Sequence, residues 1–73
     1  MKSSLISMLD VVALLVDMPA HELVRGQVGT VVESLGDDAF EVEFSDGEGR
    51  AYALAALPAS SLLVLHHGPI QAA

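Results

Sequence analysis

The stretch Phe40-Glu41-Val42-Glu43-Phe44 alternates apolar and charged residues without a break. A strand turns successive side chains to opposite faces, so this period of two puts both phenylalanines and Val42 on one face and both carboxylates on the other. The flanks are turn-forming. Asp46-Gly47-Glu48-Gly49 accepts positive φ at its glycines, so Phe40 to Ser45 and Arg50 to Leu54 read as a hairpin. Upstream, Gly36-Asp37-Asp38 is a turn after a β-branched segment, Gln27 to Glu33, in which Gly29 marks a bend or a close backbone approach.

The remaining elements are shorter. Val11 to Val16 is an apolar run between Asp10 and Asp17, the pattern of a strand buried on both faces. Leu5, Leu9, Val12 and Val16 also fit a helical stripe that would start near Ser4 and stop before Pro19. We take the strand. Pro19 to Gly26 is an irregular loop whose Leu23 and Val24 should tuck onto the core. Leu57-Pro58-Ala59-Ser60-Ser61 suits a single helical or 3-10 turn, and Leu62 to Leu65 is the last strand. Residues 66–73 read as a flexible tail on a single domain, 1–73, with its core at about 8–65. Five short strands with glycine turns and a one-turn 3-10 helix before the last describe an all-β fold, a small, strongly bent five-stranded barrel.

Composition narrows the function classes. Ten acids oppose three bases, giving a formal charge of −7 in 73 residues. Nucleic acid and anionic membranes are poor partners for such a chain, because both are held by Lys and Arg. Asp10 and Asp17 break the apolar N-terminal third where a signal peptide needs an unbroken core, and no run is long enough to span a bilayer. The absence of cysteine removes disulfides, thiolate metal sites and thiol nucleophiles, and fits a cytoplasmic protein.

No group of residues reads as catalytic, and no cofactor or metal is expected. Glu41 and Glu43 are spaced for acid and base work, but a solvated strand face offers nothing to separate their pKa values. His66 and His67 would point to opposite faces of a strand, and His21 lies far from both. Gly47-Glu48-Gly49 follows a hairpin strand instead of opening a helix, so it lacks the context of a phosphate loop. The acids remain. Glu33, Asp37, Asp38, Glu41, Glu43, Asp46 and Glu48 fall in one stretch without a base, an acidic zone that guards strand edges or docks a basic protein. Arg50 and Tyr52, on the neighbouring strand, have the composition of an interface anchor, or Arg50 neutralises a carboxylate across the hairpin. Glu33, Glu41, Glu43, Asp46, Arg50 and Tyr52 are therefore the candidate partner-binding residues.

Four segments carry a family resemblance. Leu9-Asp10-Val11-Val12-Ala13-Leu14-Leu15, the central Val24-Arg25-Gly26-Gln27-Val28-Gly29-Thr30-Val31-Val32-Glu33, and Phe40 to Phe44 continued by Tyr52-Ala53-Leu54 and Leu57-Pro58 together resemble a family of short bacterial proteins catalogued as a domain of unknown function (family 4926). The resemblance implies an SH3-like barrel and no activity. It also suggests a protein paired with the product of an adjacent small gene. The expectation is a non-catalytic acidic protein-binding module, the neutralising member of such a pair. A self-assembling structural homo-oligomer is the alternative, since a chain that is 52% hydrophobic has apolar surface to spare. Gly26 to Glu33 also looks like the KOW motif of ribosomal and elongation proteins, which would make a nucleic-acid-associated module. KOW modules that touch RNA are usually basic there, whereas this chain offers Glu33, Asp37 and Asp38.

Overall fold

The structure is a computed structural model that describes residues 5–66. Lys2, His67 and the rest of the expected tail beyond His66 lie outside the described residues. The described chain is all-β: β1 (Val11–Leu14), β2 (Val28–Gly36), β3 (Ala39–Ser45), β4 (Ala51–Pro58) and β5 (Leu62–Val64), with 3-10 turns at Pro19–His21 and Ala59–Ser61. All five strands form one antiparallel sheet in the order β4-β3-β2-β1-β5. No ladder among the described residues joins β4 to β5, so the sheet has two edges.

The alternation in β3 holds. Phe40, Val42 and Phe44 are buried, and they meet Val12 and Leu14 of β1, Val31 of β2, Ala55 and Leu57 of β4, Leu62 of β5 and Leu23 of the loop in one core. All the strands contribute through one face, which can bury its residues only because the sheet bends over itself. Register shifts between Val31 and Glu33 and between Ser34 and Gly36 in β2, and between Phe44 and Ser45 in β3, supply the bends, as extra residues in one strand of a pair do.

The β2–β3 connection turns on Asp37 and Asp38, both with positive φ (51° and 60°). Two central residues in that region make the tight turn whose twist matches the flanking strands, and aspartate tolerates the conformation better than most residues. At the other end of β3, Asp46 Oδ1 accepts from the backbone N–H groups of Glu48 and Arg50, at 2.9 and 3.0 Å.

Four expectations need correction. The Val11 to Val16 run is a strand, but only its first four residues belong to it and it is not buried on both faces: Val12 and Leu14 point into the core, while Leu15 and Val16 are exposed. Leu23 does tuck onto the core, whereas Val24 is exposed, because Met18 and Leu23 form a bridge that turns Val24 outward. The loop itself contains the unexpected 3-10 turn at Pro19–His21, whose end Glu22 caps at φ 58°. Finally, β4 runs through Leu57 to Pro58, four residues beyond the expected strand, and the 3-10 turn begins only at Ala59.

Candidate functional site

The sheet's outer face carries three of the six candidate residues. Glu33 of β2 sits directly across from Glu41 of β3, and Glu43 lies two residues further along the same face, between Thr30 of β2 and Leu54 of β4. Directly opposed side chains have Cβ atoms about 4.5–5.5 Å apart, a spacing at which like charges destabilise a sheet. Among the described residues no cation pairs with any of the three. On the β4 side their neighbours are apolar, Ala56 beside Glu41 and exposed Leu54 beside Glu43, while on the β2 side they are Glu33 and Thr30. Glu41 and Glu43 are half-buried rather than on the freely solvated face expected of them. The alternation was read correctly, but β3 is paired on both sides, so cross-strand side chains, Glu33 and Ala56 beside Glu41 and Thr30 and Leu54 beside Glu43, cover part of each glutamate.

Arg50 is not their counter-ion. The register places Leu54 and Ala56 opposite Glu43 and Glu41, and leaves Arg50 beyond the end of β3. There its guanidinium reaches Glu48 at 3.1 Å and Asp46 at 3.6 Å, within its own turn. The Asp46 carboxyl is held below its ordinary value by the Arg50 and Glu48 backbone N–H groups and by the Arg50 side chain. Asp46 and Arg50 thus form a turn clasp, separate from the outer-face glutamates. The seven clustered acids divide likewise: Asp37 and Asp38 stand at one end of β3, Asp46 and Glu48 at the other, with the glutamates between.

Tyr52 falls at the β3–β4 register shift, where the ladder passes from Ala53 to Ala51. Freed from the alternation, its ring lies 6.4 Å from that of Phe44 and its hydroxyl receives a hydrogen bond from Gln27 Nε2 at 3.2 Å. The Gln27 amide oxygen in turn accepts from Val24 N–H at 2.7 Å, tying the Pro19 loop to β4. This bridge joins residues 25 positions apart, and nothing in the local pattern announces it.

A groove of about 700 Å³ lies between Ile6, the Asp37–Asp38 turn, the Pro58–Ser60 corner and β5, with Leu62, Leu63 and Val64 along it. Sequence reading missed it, because its walls come from four separate places in the chain. Among the described residues no helix is long and apolar enough to cross a membrane.

Neither the comparison with curated proteins nor that with solved structures returned a match. One family model does match, over residues 8–64, the span from just before β1 to the end of β5, and so contains every strand and all six candidate residues. The chain therefore belongs to the family described as Domain of unknown function (DUF4926).

Proposed function

We propose that the chain is a non-catalytic protein-binding domain with an SH3-like fold, acting in the cytoplasm, and that the outer face around Glu33, Glu41 and Glu43 receives a basic partner. The observation that carries this reading is the direct opposition of exposed Glu33 and half-buried Glu41 on the outer face, flanked by Ala56 and Leu54 and with no described cation beside them. A free domain bears that repulsion, and a partner's Lys or Arg would relieve it. Apolar residues around charged ones are the composition of an interface that uses charge for selection and burial for affinity. The sheet order and the 3-10 turn ahead of the last strand support the SH3-like assignment.

Co-expression with the product of the adjacent gene tests the binding reading. The expected result is a complex that weakens as salt rises and is lost in the double variant Glu41→Lys, Glu43→Lys, with the fold retained. A complex indifferent to both salt and the double variant would place the interface elsewhere.

A further inference from the structure

Glu41 and Glu43 lie one strand in from an open edge of the sheet. That edge is β4, eight residues without a charged side chain, and among the described residues only β3 pairs with it. Natural proteins usually guard so long an edge with lysine, an inward-pointing charge or a covering loop.

The ladder shows which backbone groups face outward. Ala59 N–H donates to Asp38 C=O at 2.7 Å, so the odd-numbered residues of β4 bond to β3 and the even-numbered ones direct their backbone groups away from it. Leu54 and Ala56 each offer a donor and an acceptor there. Both side chains stand exposed on the outer face, Leu54 directly beside Glu43 and Ala56 directly beside Glu41.

We propose that the basic partner binds as an extended segment that adds a strand to the β4 edge, with Lys or Arg at every second position, an inference that rests on the reading of the outer face given above. The added strand runs antiparallel, like every pair in this sheet. A residue of that strand facing Leu54 or Ala56 exchanges both hydrogen bonds with it and shares its face of the sheet.

Charge selects this occupant. The added residues lie two strand spacings, about 10 Å, from the backbone of Glu43 and Glu41, a gap that a lysine and a glutamate side chain close between them. Ala56 is too small to stand in the way. At Leu54, 58% exposed, the lysine stem covers an apolar side chain while its ammonium reaches Glu43. Arg50 does not compete for these glutamates, because Asp46 and Glu48 hold it in its own turn. A second copy is the poorer occupant, since its β4 brings no cation and a net charge of −7 opposes its approach.

The probe is a short peptide of alternating lysine and valine, added at low salt to the full-length chain and followed by NMR. The Leu54 and Ala56 amide protons should exchange with solvent about tenfold more slowly once the peptide is bound, as protons drawn into a ladder do. Methylating the peptide's lysine backbone nitrogens, which face β4 in this register, should abolish binding, whereas methylating its valine nitrogens should not. Glu41→Gln combined with Glu43→Gln should weaken binding by about tenfold with the fold retained. Movement of the Glu41 and Glu43 signals without slowed exchange at Leu54 and Ala56 would overturn the added strand and leave the acidic-face reading standing. Edge binding indifferent to the double glutamine variant would overturn both. A peptide that does not bind, or that survives methylation of its lysine nitrogens, would overturn the proposal. So would slow exchange at Leu54 and Ala56 that grows with protein concentration in the free chain, which would give the edge to a second copy.

Discussion

Replacing Gly29 by alanine adds one methyl group at a position where the fold has no room for it. A Cβ built there would stand 2.7 Å from Val42 Cγ1, 2.8 Å from the Glu43 carbonyl oxygen and 3.0 Å from Phe44 Cδ2. Comfortable contacts between carbon atoms lie near 3.5–4.0 Å. Relief is blocked on each side: Val42 and Phe44 are fully buried, and Glu43 is held between two strands by the pairing of β3 with β2 and β4. Overpacking by about one methylene costs roughly 1–3 kcal/mol. Against this stands a gain of about 0.4–1 kcal/mol, because alanine leaves the unfolded chain fewer conformations than glycine does. The overlap with backbone puts the cost in the upper part of that range, about 2–3 kcal/mol, for a net loss of about 1–2.5 kcal/mol. For a domain of this size, that corresponds to a fall of about 5–20 °C in thermal midpoint. Gly47→Ala is the matched control, since a Cβ there meets nothing within 4 Å. Thermal and urea unfolding of the two variants beside wild type should give a clear loss at Gly29 and no loss at Gly47. A Gly29→Ala protein as stable as wild type would refute the close approach of β2 and β3 on which the argument depends.

Phe44→Ala should cost about 3–5 kcal/mol by lost transfer energy plus a cavity, a large share of the stability of so small a domain, and urea unfolding should show it. Glu41→Lys replaces a like-charge pair with an opposite-charge one against Glu33, so its denaturation midpoint should rise by the equivalent of about 0.2–1 kcal/mol; a lower midpoint would contradict the register. Because folding lowers the Asp46 pKa from 3.8, its ionised form stabilises the native state above that value, and the contribution fades as pH falls through the lowered native pKa. Asp46→Asn should therefore be less stable than wild type near neutral pH, with the difference in thermal midpoint shrinking in acid. A carbon-detected NMR titration should find the Asp46 carboxyl below 3.8.

Much of the fold is legible in the chain because it rests on local rules. The period of two from Phe40 to Phe44 assigned each side chain its face, and Asp37-Asp38 and Asp46-Gly47-Glu48-Gly49 located both ends of β3. Gly29 was legible as either a bend or a close approach, and the nearness of Val42, Glu43 and Phe44 makes it the second. The Val11 to Val16 run was half legible: its strand character follows from composition, but its paired length depends on where β5 begins beside it, with Leu62 opposite Leu14. Leu23 and Val24 could not be told apart at all, because the bridge between Met18 and Leu23 decides which of them turns inward.

The candidate site shows the same division more sharply. That Glu41 and Glu43 share a face is a property of five consecutive residues. That Glu33 opposes Glu41 depends on the extra residue at Val32, which shifts the β2–β3 register, and a shift of one position turns every later side chain to the other face. The separation of Arg50 from those glutamates, the placing of Tyr52 over Phe44 and the exposure of the β4 edge depend likewise on register and strand order. Sequence by itself determined that the fold is all-β, where β3 turns at both ends, and that Phe40, Val42 and Phe44 point inward, because backbone sterics and the alternation of side chains act over a few neighbouring positions. Only the tertiary structure decided which carboxylates meet and which edge stays open, because those follow from pairing between distant segments, where one bulge outweighs any local preference.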